Sequence, residues 1–511
     1  MLSIFRCLIE LKTPLHCGGG DDNGFDQPVT RDGFGLYRIP GSSIAGILRA
    51  KAMQMGANPA LINRAFGYIE HGKSDGKAAG SLIWCKDGLL LDMDGNLAIA
   101  KKMQGNNVHP VFSNIYIRDH VRIGLETGAA EESGKFDEEY APVGCRFVLE
   151  VLFDGWGEAI AEDEQRLFLS LCAALRDGAI RFGGKEAEGF GRIKCLQSAC
   201  RAFTLTDPAE LEAWLNLAPF PYNNGELFSS GVGSELALPV ASALSQECSN
   251  GLSGWLAVNL EASGPLLIGG GTRSALQAGK NTEKSDSNPD SADMLFYMEP
   301  YLDYTAKKAQ WRRVVPGSSL RGALRQRVFA IANTLFADEG DAQAILDTIF
   351  GYVNGGEAQP GKISVLDAPL PDVQPLLVQH VAIDRFTGGA LEGALFNEAP
   401  IWQAGIQIPL TLHANGLPAH AAAILLHALM DLAEGFLPVG GGKNRGNGVL
   451  RLPGLGTDGA FDWAKALQHI DFSISWNGET LNKHGMSGAG TWLARLDTAL
   501  TQEQKTFREA R

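Results

Sequence analysis

The stretch Ile39-Pro40-Gly41-Ser42-Ser43 and the later stretch Val315-Pro316-Gly317-Ser318-Ser319 decide the fold. Each precedes a helical, basic run, Ile44 to Lys51 in the first case and Leu320 to Arg327 in the second. Proline and glycine set a turn, and serine is expected to cap the helix. The free N–H groups at a positive helix end then suit a phosphate. One such element alone is an ordinary capped helix. Two in matching surroundings point to the same domain occurring twice.

The surroundings match in order. Upstream stand Pro14-Leu15-His16-Cys17-Gly18-Gly19-Gly20 and Pro265-Leu266-Leu267-Ile268-Gly269-Gly270-Gly271. Downstream stand Ala65-Phe66-Gly67-Tyr68 and Ile349-Phe350-Gly351-Tyr352, then His120-Val121-Arg122-Ile123 and His380-Val381-Ala382-Ile383. Near the end of each copy come Gly183-Gly184-Lys185 and Gly441-Gly442-Lys443, each followed by a second glycine pair. The intervals drift, as they do when loops change length around a retained framework.

Composition fits a large soluble protein with two cores: 511 residues, 45% of them hydrophobic. No apolar run is long enough to cross a bilayer, so no membrane partner is expected. The opening residues alternate like a strand and carry Arg6 and Glu10 where a signal peptide is apolar. Eight cysteines show no C-x-x-C pairing, which points to a reduced, cytoplasmic setting without a zinc site or disulfide framework. A net charge of −14 excludes a protein that coats nucleic acid with its whole surface. It leaves room for a local basic groove.

Each copy reads as α+β. Copy one has a strand over about 2–12, a helix over about 42–55, short strands at 81–85 and 145–152, and a helix over about 161–177 ended by Gly178. Copy two opens with a strand at 254–260 and has its last helix over about 419–434, ended by Gly435. Strand, helix, strands, helix, strand is the order of a ferredoxin-like or RRM-like domain with insertions. The expected division is copy one at 1–204, a linker at 205–250, copy two at 251–456 and an appendage at 457–511. Gln277 to Asp293 is polar and has no apolar period.

The triple glycine after the first strand, the run Asp26-Gln27-Pro28-Val29-Thr30-Arg31-Asp32, and I-P-G-S-S before a basic helix resemble a known family. So do His380 to Gly393 and Gly440 to Gly448. The resemblance is to the Cas-seven-type backbone subunits of type III CRISPR effectors, in the RAMP superfamily. It implies two fused protomers that bind crRNA and target RNA beside other RAMP-type subunits. It also implies an RRM-like palm and a thumb-like hairpin that kinks the guide–target duplex. A loop aspartate then assists cutting of the target, making the chain a guide-directed endoribonuclease.

The family pattern singles out Asp26 as catalytic, with Asp32 as loop support; composition alone reads Asp21 to Asp26 as a solvated turn. A carboxylate can act as general base or hold a divalent metal, Mg or Mn; no organic cofactor is expected. His16 is either a catalytic imidazole or a loop-packing residue. Aligning Pro300 with Pro28 puts Met298 in the place of Asp26, so copy two is expected to bind without cutting; Asp293 on a longer loop is the alternative. Guide-binding candidates are Ser42, Ser43, Arg49, Lys51 and Lys185, and in copy two Ser318, Ser319, Arg321, Arg325, Lys443 and Arg445. A solvated helix face is the plain alternative for the helical ones. Trp311-Arg312-Arg313 suits either stacking on RNA or a strand end. The thumbs are expected from His120 to about Val143, including Arg122 and Ile123, and from His380 to about Ile401, including Ile383 and Phe386. Two further readings stay open: a structural backbone subunit that does not cut, and a phosphate-binding metabolic enzyme. The second lacks any G-x-x-x-x-G-K-[ST] or G-x-G-x-x-G unit.

Overall fold

The computed structural model describes residues 2–20, 26–69, 78–155, 162–217, 226–228, 232–239, 251–270, 292–336, 339–354, 356–403, 405–453, 470–476, 479–482, 498 and 501–502. Asp21, Asp22 and the polar stretch from Gln277 to Ser291 lie outside these residues.

In copy one the strand Leu2–Leu11 runs through the middle of a sheet. It pairs antiparallel with Arg146–Asp154 on one side and Ile193–Phe203 on the other; Ile83–Cys85 lies beyond Arg146–Asp154. Side chains of a strand alternate between faces. Phe5, Cys7, Ile9 and Leu11 therefore join one core with Ile44 and Leu48 of helix Gly41–Gln54 and Phe168 and Leu171 of helix Glu162–Arg176. Leu2, Ile4 and Leu8 face the other way.

That second face is covered by residues expected to be a linker. Leu227 and Phe228 are buried on it, and Trp214 of helix Pro208–Leu215 packs there. Arg6 sits on the same face, 2% exposed, with Nε 2.7 Å from Glu150 Oε2 and Nη1 donating to the Leu227 carbonyl. Strand Ser234–Glu235 extends the sheet. A two-faced core needs two covers, so copy one continues past residue 204.

Copy two repeats the plan. Leu252–Ala262 lies between Gln407–Leu417 and Ile470–Trp476, with Ile363–Val365 beyond Gln407–Leu417, and helices Gly317–Leu335 and Ala419–Glu434 supply the core. Its last strand is split. Leu450–Arg451 pairs with Ala262 and Glu261, and Ile470–Trp476 pairs with the earlier half of the same strand. Copy one does the same job with one strand, Ile193–Phe203. The expected boundary at 456 therefore falls inside copy two, and part of the expected appendage is sheet.

The repeated helix starts correct the capping expectation. Pro40 and Pro316 occupy the cap positions, and no serine side chain caps either helix. A distant aspartate acts instead: Gly41 N–H donates to Asp87 Oδ1 at 2.7 Å, and Gly317 N–H donates to Asp367 Oδ1 at 2.7 Å. Glycine is required because a Cβ would lie 2.3 Å from the Cys85 carbonyl oxygen, or 2.2 Å from that of Val365.

Each copy carries a two-stranded hairpin, Ile117–Ile123 with Ala130–Glu139 and Val378–Ile383 with Ala390–Ala399. Both slip register at the same place, after Val121 and after Val381. The base of the first hairpin joins the copies. Arg118, 1% exposed, donates from Nη2 to Asp367 Oδ2 at 2.8 Å and to Glu299 Oε2 at 3.1 Å, and from Nε to the Tyr297 hydroxyl. Leu302 N–H donates to the Val143 carbonyl beside it, and Tyr116 meets Trp311 edge-on at 5.9 Å.

Candidate nucleic-acid interface

The backbone fixes how the two aspartate loops correspond. Thr30 N–H donates to the Cys17 carbonyl as Tyr297 N–H donates to that of Ile268, both at 2.8 Å. Gly19 N–H donates to Pro28 as Gly270 N–H donates to Leu295. Counting from either bond, Asp26 answers to Asp293. Met298 answers to Arg31, since Met298 pairs with Arg313 as Arg31 pairs with Tyr37. The expectation that Met298 replaces Asp26 does not hold.

Both aspartates hold the same place on a hairpin. Asp26 Oδ2 accepts from Asp137 N–H at 3.0 Å, and Asp293 Oδ2 accepts from Asn397 N–H at 2.9 Å. Asp26 N–H also donates to Asp137 Oδ1. Asp137 and Asn397 each follow a phenylalanine stacked on a histidine: Phe136 on His120 and Phe396 on His380, with centroids 4.9 Å apart in both. Both aspartates are exposed. Asp32 accepts from Phe34 and Leu36 N–H, which is loop support as expected. His16 is buried with Nδ1 2.8 Å from the Glu139 carbonyl, so it packs the loop.

The second strand of each hairpin carries a buried glutamate near its end, Glu138 or Glu398, both 0% exposed. His120 Nε2 is 3.4 Å from Glu138, and His380 Nε2 is 3.1 Å from Glu398. Burial pushes the Glu138 carboxyl up, but His120, Lys185 and His16 outweigh it and hold the group below its usual range. The glycine loops supply the cations from different positions. Lys185 Nζ is 3.3 Å from Glu138 and over the Phe136 ring; Arg445 pairs with Glu398 and lies over Phe396. Gly184 bonds to His16 as Gly441 bonds to Leu267, so Lys185 answers to Gly442, Glu186 to Lys443 and Glu188 to Arg445. The expected match of Lys185 with Lys443 is off by one residue.

The helix cations are largely engaged within the fold. Arg49 donates to the Gly67 carbonyl and Asn63 Oδ1; Arg321 donates to the Phe350 carbonyl at 2.5 Å and lies over the Phe350 ring. Burial lowers the pKa of Lys51, Arg321, Arg325 and Lys443. Arg325 faces Asp347 and, across the joint, Glu131 and Arg122 of the first hairpin. Trp311-Arg312-Arg313 lies within the strand Lys308–Val315 and not at its end: Arg312 pairs with Glu299 at 2.8 Å and Arg313 donates to the Val373 carbonyl. Ser42 is exposed; Ser43, Ser318 and Ser319 are half-buried.

The outer parts of the hairpins stand in solvent. Val121, Ile123, Val381, Ile383, Leu391 and Leu395 are exposed, and Phe386 is 91% exposed. Leu125 instead packs against the core of copy two. In copy one a cleft of about 460 Å³ brings the glycine turn at Gly18 to Gly20 against the helix start at Pro40 and Ser42, with Arg31 and Arg38 in its wall. The two sequence elements that first marked the repeat thus share one surface.

Among the described residues, His120, Glu138 and Glu188 come close enough together to hold a metal. Lys185 already lies on Glu138, and Arg445 stands at the place of Glu188 in copy two, so this cluster is not a feature of the repeat. The exposed carboxylates of Asp26 and Asp293 are hard oxygen donors of the kind Mg and Mn take.

Two α+β units, each with an aspartate loop bonded to a hairpin, define a tandem-repeat protein. The RAMP superfamily model matches residues 8–194 and again residues 259–451. The chain belongs to the RAMP superfamily, in two copies. It is similar to the CRISPR system Cms endoribonuclease Csm3 of Methanocaldococcus jannaschii, 28% identical over 217 residues, covering 37% of this chain and 77% of that protein. A type III-B Cmr-beta complex, solved by cryo-EM in its apo state, contains a chain 16% identical, with a TM-score of 0.28, covering 38% of this chain and 96% of that one. No helix among the described residues is long and apolar enough to cross a membrane.

Proposed function

We propose that this chain is a crRNA-binding backbone subunit of a type III CRISPR effector and that it cuts target RNA at two places, one for each copy. The carrying observation is the matched pair of aspartates, Asp26 on Asp137 N–H and Asp293 on Asn397 N–H. The similarity to an endoribonuclease named Csm3 supports the reaction class. The strand order in each sheet, last–first–third–second with two helices on one face, supports reading each copy as an RRM-like palm. The hairpins serve as thumbs.

In this reading the guide lies along the cleft between the glycine turn and the helix start. The exposed apolar hairpin residues splay one target nucleotide out of the duplex, which brings its 2′-OH in line with the next phosphate. The hairpin amide fixes each carboxylate through Oδ2, leaving Oδ1 to take the 2′-OH proton as the 2′ oxygen bonds to phosphorus; the P–O5′ bond breaks, the 5′ oxygen leaves with a proton from solvent, and a 2′,3′-cyclic phosphate remains. A divalent ion, Mg or Mn, would be held by the exposed carboxylates of Asp26 and Asp293 and would supply charge neutralisation there. Lys185 and Arg445 pair with the buried glutamate at each hairpin base and hold it folded. The partners are crRNA, target RNA and other RAMP-type subunits, in the cytoplasm.

The test is a denaturing gel of end-labelled complementary RNA incubated with the guide-loaded complex and MgCl₂ or MnCl₂. Two cuts assigned to this chain are expected. No cut at either place leaves only the structural backbone reading.

A further inference from the structure

Four buried side-chain atoms at the hairpin base of copy one have no hydrogen-bond partner: His120 Nε2, both carboxylate oxygens of Glu138, and Oε2 of Glu188. They come from three elements, the first hairpin strand, the second hairpin strand and the turn Glu186–Glu188 that follows the glycine loop. The His120 side chain is 9% exposed and that of Glu138 0%. Native folds leave few such atoms. These converge: one ligand atom from each of the three residues lies within 4.8 Å of the others.

The two copies balance this place differently. In copy two, Arg445 meets Glu398 Oε1 and His380 stands 3.1 Å from Oε2, so one guanidinium answers one carboxylate. Copy one has a second carboxylate, Glu188, at the place of Arg445. Among the described residues Glu188 has no salt-bridge partner. Arg321, across the joint, carries the opposite charge near it but donates to the Phe350 carbonyl instead. Lys185 pairs with Glu138, yet its Nζ, 3.3 Å from Oε2, makes no hydrogen bond to it. The Lys185 side chain is 23% exposed, so its head can turn to solvent on a flexible stem. Two carboxylates against one ammonium leave one buried carboxylate without a contacting cation.

The donor set identifies the ion that suits these atoms. One imidazole nitrogen with two carboxylates fits zinc and the other first-row divalent metals, whereas magnesium and calcium take oxygen ligands. Bonds of about 2.1 Å at a tetrahedral centre set its ligands about 3.4 Å apart. His120 Nε2 stands 3.4 Å from Glu138 Oε2. An ion here would tie both hairpin strands to the glycine loop. On one side is Asp137, whose amide holds Asp26. On the other, the Glu188 backbone abuts the helix start of copy two, where a Cβ on Gly317 would lie 2.9 Å from the Glu188 carbonyl oxygen.

We propose that His120, Glu138 and Glu188 form a structural zinc site found in copy one alone, separate from the exposed carboxylates of Asp26 and Asp293. The proposal does not depend on RNA cutting. The test uses the purified full chain, stripped with a chelator and free of RNA. Zinc is added in the presence of excess magnesium chloride, unbound metal is removed, and bound zinc is counted by mass spectrometry beside thermal melts. About one zinc per chain is expected, with a rise in the melting midpoint. Glu188→Arg, which gives copy one the residue of copy two, should lose both the zinc and the rise while staying folded by circular dichroism. Glu188→Gln, of the same size as the parent residue, should lose both as well. Lys185→Met should tighten zinc binding by removing the competing charge. Asp26→Ala and His380→Ala should bind zinc as the parent does. A chain that binds no zinc overturns the proposal. So does zinc that both Glu188 variants retain, zinc lost with His380→Ala, or zinc binding weakened by Lys185→Met.

Discussion

The two hairpin bases solve one problem with different residues. Each must pair a fully buried glutamate on the hairpin strand to which the aspartate loop is bonded. Copy one uses Lys185, in the third residue of its glycine loop; copy two uses Arg445, three positions further along the equivalent loop. The residue facing the aspartate also differs, Asp137 against Asn397, yet the backbone bond to the carboxylate is the same. What is retained is geometry at the backbone. What varies is the side chain that neutralises it. Comparing the copies therefore separates features the fold needs from features one copy happens to use.

The comparison breaks most severely at the joint. Arg118→Ala should cost about 3–5 kcal/mol, because Glu299 and Asp367 lose their shared guanidinium while buried. Val378→Ala, the equivalent change in copy two, should cost less than about 1.5 kcal/mol at a half-buried site. Denaturant midpoints with unchanged slopes would check both, and equal losses would contradict the asymmetry.

Acid should sharpen the contrast next. The Glu138 carboxyl is held below its ordinary value in the folded chain. A depressed carboxylate contributes stability that is present above its unfolded pKa and is lost as pH falls through its folded pKa. Copy one should therefore lose stability on acidification below about pH 4.5, the ordinary glutamate range. Glu138→Gln should flatten that part of the profile in thermal melts run from pH 7 to pH 3.

Smaller effects fall at the helix starts. Asp87→Ala should cost about 1 kcal/mol, the usual value of a lost cap. Ser42→Ala and Ser318→Ala should stay within about 0.5 kcal/mol, since neither hydroxyl caps its helix. A serine effect as large as the aspartate effect would restore the capping role read from the sequence.

Much of the architecture was legible because it is local. Both long helices of each copy, their glycine stops at Gly178 and Gly435, and the ordered repeat all follow from turn chemistry and apolar spacing. The helix caps were not legible, because Asp87 and Asp367 act from 46 and 50 residues downstream. Asp293 was hidden for a related reason. Copy two has a long hairpin, Met298–Asp303 with Lys308–Val315, where copy one turns within a few residues between Arg31 and Tyr37. Pro300 lies inside that extra hairpin and made a false anchor. Hydrogen-bond register is indifferent to such insertions and recovers the match. The last strand of copy two was missed because a chain excursion separates Arg451 from Ile470.

The central claim is that both copies carry a working aspartate. The most direct test is end-labelled target RNA cut by complexes carrying Asp26→Ala, Asp293→Ala or both, with target binding measured alongside. Each single variant is predicted to lose one cut and keep the other, and the double variant to lose both, with binding near normal throughout. A pattern in which Asp293→Ala leaves every cut in place while Asp26→Ala removes one would contradict the claim and return copy two to a binding role.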